Sequence, residues 1–158
     1  MNQEICCPEF NPVPWDEKEI RWENETFIKD RVFCLFHIPI NFGSKMIKNV
    51  KVIEAAGAMP AEADFMVLSN DDSLWGMSIY LKTTKEISNA NNATISGDFL
   101  SKVFEGHYKN TPKWIDEMKR YVSAKGKEMK DLYFYYTTCP KCAKKYGKNY
   151  VVLMAKTN

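Results

Sequence analysis

Apolar and β-branched residues cluster in the run TFIKDRVFCLFHI, residues 26–38, and in a shorter run over residues 19–22, so both are expected to be strands. The charged Glu23-Asn24-Glu25 between them reads as the turn of an opening hairpin. The apolar period then lengthens. In INFGSKMIKNVKVIEAAGAMP, Met46, Ile47, Val50, Ile53 and Gly57 fall near helical spacing, with Ser44 placed to cap the start and Gly57 to close the end. DFMVLSN and SLWGMSIYLKT follow, two β-rich runs around the turn-prone Asn70-Asp71-Asp72-Ser73, which predicts a second hairpin. KEISNANNAT carries no hydrophobic period and reads as a connection.

The second half repeats the order of the first. ISGDFLSKVFEG is expected to be a strand. TPKWIDEMKRYVSAKG is expected to be a helix, with Thr111 at the N-cap, Pro112 at the first helical position and Gly126 past the end. Trp114, Ile115, Met118, Tyr121 and Val122 line its apolar face. DLYFYYTT and NYVVLMAK then form a hairpin joined through TTCPKCAKKYGKNY. Strand, helix, strand, strand thus occurs twice, which predicts an α+β domain: a lead and hairpin over residues 1–30, and two pseudo-symmetric βαββ modules at 31–87 and 94–158. Paired side by side, such modules make a curved antiparallel sheet with both helices on one face and a ligand cleft on the other. The repeat relates Gly57 to Gly126, Phe36-His37 to Phe104-Glu105, and the strands led by Trp75 and Tyr150. Tyr133 and Tyr135 share one side of their strand, and Leu132, Phe134 and Tyr136 the other. Alternation leaves open which set meets the helix.

Length and apolar content fit one core: 158 residues, 45% hydrophobic. A net charge of +2, with its lysines and arginines dispersed, gives no footprint for a phosphate backbone, so nucleic acid is not an expected ligand. No apolar run approaches the roughly 20 residues that cross a bilayer, and the first residues lack a signal-peptide pattern. A cytoplasmic protein without membrane contact is expected. There the five cysteines, an odd number, would stay reduced. Aromatic content of 13%, with four Trp and eight Tyr, suits either a flat ligand or well-covered sheet faces.

The second half, VFEGHYKNTPKWIDEMKRYVSAKGKEMKDLYFYYTT with the strand YVVLMAK, resembles the GyrI-like family of small-molecule-binding domains. That family has a strand ending in Gly-Pro-Tyr, a Trp-bearing helix closed by Gly, and a final hairpin. Gly106-His107-Tyr108 stands in the Gly-Pro-Tyr place with His for Pro, and Trp114 and Gly126 match. The first half, FHIPINFGSKMIKNVKVIEAAGAMP, keeps strand and helix without the triplet, and the resemblance covers about residues 31–156. It implies a ligand cleft between tandem modules. Family members serve as effector domains of multidrug-sensing regulators, stand-alone binders, gyrase inhibitors, and hydrolases of cyclopropane-bearing alkylating compounds held in an aromatic cage. With no helix-turn-helix in the sequence, the resemblance implies a stand-alone binder or hydrolase. Drug-sensing relatives hold a cleft glutamate where this chain has Trp75 and Tyr150, an exchange that favours neutral planar ligands.

The expected ligand is therefore a hydrophobic aromatic molecule, contacted by Trp75, Tyr133, Tyr135, Tyr150, His37 and Tyr108. Adding water to a strained electrophile needs positioning, a hydrogen-bond donor and a group that orients water. Glu105 and Tyr135 are the catalytic candidates, with Glu105 and His37 at pseudo-equivalent strand ends. Two histidines assemble no conventional triad or metal-hydrolase signature. No cofactor is required. Cys139-Pro140-Lys141-Cys142 supplies half of a zinc knuckle, and Cys6 and Cys7 are the remaining ligands on offer; the other readings of that stretch are a redox CxxC, although it falls in a hairpin connection and not at a helix start, and a plain turn with reduced thiols. A protein-interaction module using the same concave face and a zinc-stabilised structural protein are the rival functions.

Overall fold

A computed structural model describes residues 10–35, 38–73, 75–137 and 147–158 of the chain. Their elements, in chain order, are β1 (Lys18–Leu35), β2 (Ile38–Pro39), α1 (Phe42–Ala55), β3 (Val67–Ser73), β4 (Gly76–Lys82), β5 (Asn92–Glu105), α2 (Thr111–Ala124), β6 (Asp131–Tyr136) and β7 (Tyr150–Lys156). Helices and antiparallel strands make this the expected α+β class. The chain divides into two compact units, one formed by Arg21–Gly97 and the other by the segment through Ile20 together with Asp98–Asn158. Among the described residues no helix is long and apolar enough to cross a membrane.

In the Arg21–Gly97 unit, β4 lies between β1 and β3, with Ile28 opposite Leu81, Val32 opposite Met77 and Val67 opposite Leu81. Those residues share the face covered by α1, where Ile28, Val32, Cys34, Ile53, Ile79 and Leu81 form a closed core. Met46 and Val50 of α1 pack against it, as their spacing predicts, while Ile47 is exposed. Gly57 takes φ +65 past the helix end, a conformation costly for a residue with a Cβ, and its N–H and that of Ala58 bond the Glu54 and Ile53 carbonyls.

Three local expectations need correction. The opening hairpin is absent: β1 runs unbroken through Glu23-Asn24-Glu25. Asn24 does adopt φ 51, and its N–H bonds the Ser96 hydroxyl at 2.7 Å, but a left-handed residue reverses the chain only if its two flanks pair with each other. Here the downstream flank, Phe27 to Phe33, pairs with β4 instead. The second hairpin turns between Ser73 and Gly76, not at Asn70-Asp71-Asp72-Ser73, because burial of Leu68 and Ile79 fixes the register and leaves the acidic run within β3 as an irregularity. Helix α1 starts two residues before Ser44, whose hydroxyl donates to the Asn41 carbonyl.

Asp30 joins β1 to α1. Its carboxylate accepts from the Asn49 amide at 2.9 Å and the Arg31 N–H at 2.8 Å, and lies 3.4 Å from the Lys45 ammonium. Burial acts to raise this carboxyl, but the Asn49 amide, the Arg31 N–H and the Lys45 charge outweigh it and hold the group below its ordinary value of 3.8. A carboxyl lowered on folding stabilises the protein above its unfolded value and loses that contribution as pH falls through the folded value. Asp30→Asn should therefore cost about 1–2 kcal/mol at pH 7, with the difference from wild type shrinking as urea melts are repeated below pH 3.8. A pH-independent difference would show that charge is not what the site uses.

In the second unit, β7 lies between β5 and β6, with Phe104 opposite Val151 and Phe134 opposite Leu153. Trp114, Met118 and Val122 of α2 bury Leu100, Phe104, Phe134, Val151, Leu153 and Ala155. Helix α2 begins with Thr111 inside it and Asn110 before it, one residue from the predicted cap, and Gly126 closes it with φ +72.

Candidate functional site

Residues facing α2 account for every second position of these strands, so the alternate positions fall on the opposite face. That face carries Phe99, Ser101, Val103 and Glu105 of β5, Tyr150, Val152 and Met154 of β7, and Tyr133 and Tyr135 of β6. The question left open by alternation is answered: Phe134 meets the helix, and Tyr133 and Tyr135 turn away from it.

Burial falls along this face from one end to the other. Phe99, Ser101, Val152 and Met154 are 1% exposed or less, and Tyr133, at 8%, packs its ring 6.2 Å from Phe99. Tyr135 and Tyr150 are only half-buried, and Glu105 is exposed. The end defined by Glu105, Tyr150 and Tyr135 is therefore where a small molecule can reach aromatic surface.

Gly106 holds that end in place. Its N–H bonds the Asn149 carbonyl at 3.1 Å and its carbonyl accepts from the Asn149 amide at 2.7 Å, which sets Glu105 directly across from Tyr150. With φ +136, and Asn110 Nδ2 3.2 Å from where a Cβ would stand, the position suits glycine alone. Tyr135 pairs with Val152, two residues along β7 from Tyr150. Strand spacing puts the Cα atoms of Glu105 and Tyr135 about 12 Å apart.

Two further rings belong to the site, and neither was signalled by the sequence pattern. Trp15 lies 5.5 Å from Tyr135, and Phe10 lies 6.0 Å from Tyr135 and 5.8 Å from Tyr150. They arrive on the segment leading into β1, which is fastened to β5: the Ser101 hydroxyl donates to the Trp15 carbonyl at 2.6 Å, and the Val103 N–H to the Asp16 carboxylate at 3.1 Å. The Lys148 ammonium stands 5.8 Å over the Tyr150 ring.

The remaining candidates lie in the other unit, in a short turn, or outside the described residues. Trp75 belongs to the Arg21–Gly97 unit, in the turn after β3, 51% exposed, with its carbonyl accepting from the Cys34 N–H. Tyr108 lies in a short 3-10 turn, and the ring of His107 beside it accepts from the Lys109 N–H. His37 and the four cysteines considered for zinc, Cys6, Cys7, Cys139 and Cys142, lie outside the described residues. Among the described residues no group of three or more His, Cys, Asp and Glu gathers as a metal site requires. Cys34 is a buried core residue.

The family model described as "Bacterial hydrolase" matches residues 1–157. The chain belongs to that family. A comparison with curated proteins finds no match. Among solved structures, the hydrolase-family chain is similar to the EcmrR C-terminal domain, with TM-score 0.69 and 8% identity over 91% of this chain and 98% of that one. The EcmrR chain in its complex with DNA gives TM-score 0.66 at 10% identity, over 89% of this chain and 56% of that one. A hydrolase encoded by lin2189 from Listeria innocua gives TM-score 0.62 at 10% identity, over 91% and 93%. With the family match, these likenesses bear out the GyrI-like resemblance at the level of fold.

Proposed function

We propose that this bacterial-hydrolase-family protein binds neutral, flat, hydrophobic small molecules at the open end of its aromatic face, and that it adds water to strained electrophiles held there. The observation that carries the reading is the group of four rings, Phe10, Trp15, Tyr135 and Tyr150, gathered at the strand end where Glu105 stands across from Tyr150. Aromatic faces of this kind bind flat molecules through apolar burial and offset or edge contacts. The Lys148 ammonium over Tyr150 already occupies a position that a cationic ligand would seek, which supports a neutral one.

For hydrolysis, Glu105 takes a proton from water as the water oxygen bonds a cyclopropane carbon; the ring C–C bond breaks, its electron pair passes to a carbonyl oxygen conjugated with the ring, and the Tyr135 hydroxyl donates to that oxygen. This chemistry calls for no organic cofactor. The family name and the likeness to a hydrolase from Listeria innocua support hydrolysis as a class of activity, while the substrate rests on the site alone. The rival reading is a protein-interaction module, expected on the concave face; apart from that face, Phe33, Leu35, Ile40 and Trp75 of the other unit are 44–58% exposed.

Titration with planar neutral dyes tests the binding step. Saturable quenching of tryptophan fluorescence is expected, with Trp15 as reporter, and Tyr135→Ala should weaken binding about tenfold. A varied panel that gives no saturable quenching would favour the interaction module.

A further inference from the structure

Phe10 occupies the part of the site where a ligand ring would be expected. It meets Tyr135 edge-on, with ring planes at 86°, and Tyr150 at a tilt of 51°, so that it rests on the two half-buried tyrosines at once. We infer that Phe10 is a built-in occupant of the ring-binding site, and that a small molecule with an uncharged phenyl or benzyl group binds by displacing it. This rests on the proposed function and names both the ligand chemistry and the control of that site.

The way the segment is fastened supports displacement. Its base is fixed through the Trp15 carbonyl and the Asp16 carboxylate on β5. A tight turn follows upstream, in which the N–H groups of Trp15 and Asp16 bond the Pro12 carbonyl and the Val13 N–H bonds the Asn11 side chain. Beyond that turn the Phe10 ring rests on Tyr135 and Tyr150. Such contacts are weak singly, and a ligand that buries comparable apolar area replaces them in kind. Trp15, by contrast, is anchored by the backbone and stays as a wall beside Tyr135.

Rotation about the Asn11 N–Cα bond can therefore carry Phe10 away while the Asn11 side-chain bond, the turn and its anchors remain. The chain selects ligands in two ways: a ring must match the edge-on and tilted geometry that Phe10 satisfies, and it must bind well enough to overcome the internal competitor. The Lys148 ammonium over Tyr150 directs the choice away from cations. A competitor tethered within reach lowers apparent affinity by the fraction of time it fills the site.

The neutral fluorescent probe N-phenyl-1-naphthylamine tests this with the full chain. It should bind wild type, and Phe10→Ala should lower the dissociation constant about 3- to 10-fold. Phe10→Leu, which keeps apolar bulk on the segment but no ring, should give a smaller gain in the same direction. Tyr135→Ala should weaken binding in the wild-type and Phe10→Ala backgrounds alike. Equal or weaker binding by both Phe10 variants, with the Tyr135 dependence intact, would overturn the inference and leave the proposed function standing, with Phe10 a wall. Absence of binding in every variant, or binding indifferent to Tyr135→Ala, would overturn the proposed function and the inference with it.

Discussion

Glu105→Gln should slow water addition to a cyclopropane-bearing alkylator about 100- to 10,000-fold while leaving dye binding within about twofold of wild type. Glutamine keeps the shape of the side chain and its place across from Tyr150, but it cannot accept the proton that water must lose. The rings of the proposed site are untouched by the change. The measurement is the water adduct followed by mass spectrometry under single-turnover conditions, which separates chemistry from binding. Tyr135→Phe gives the complementary result, since it keeps the ring and removes the hydroxyl, so most of its loss should appear in rate. A Glu105→Gln protein as fast as wild type would remove this carboxylate from the mechanism. A wild type no faster than the uncatalysed reaction would leave a binding protein.

How legible this site was in the sequence depends on the range of each interaction. Helix α2 reads clearly because Pro112, Trp114, Met118, Val122 and Gly126 give its start, buried stripe and stop within one segment. The strands around it read clearly for the same reason. The orientation of β6 did not, since both faces are aromatic, and it takes the contact of Phe134 with the α2 core to turn Tyr135 toward the site. Phe10 and Trp15 fall within the lead and hairpin predicted over residues 1–30. Their partners lie more than a hundred residues away in β6 and β7, and no local period marks such a contact. Around Asn24 and Asn70, residues that favour turns predict a reversal of the chain, but pairing with β4 and burial decide its path.

Trp114→Ala should destabilise the protein by about 3–5 kcal/mol, a large share of what holds most domains folded. The side chain is 5% exposed, stacked on Phe104 at 5.8 Å with ring planes 27° apart, and it packs over Gly106. Removing it leaves a cavity at the place where α2 meets the ends of β5 and β7, lined by residues whose backbones are fixed in the sheet and cannot close in. A fall in melting temperature of roughly 10 °C is expected for a chain of this size. The site should suffer as well, because Phe104 and Val151, under the cavity, are the immediate neighbours of Glu105 and Tyr150. Probe binding at a temperature where the variant is still folded should therefore weaken, although Trp114 lies on the face opposite the ligand. Substitution of Trp15 should divide the two effects the other way, weakening binding with little change in stability, since that half-buried ring adds to the site and not to the core. If Trp114→Ala costs less than 1 kcal/mol, α2 is not what sets the strand ends, and the geometry of Glu105 and Tyr150 must have another support.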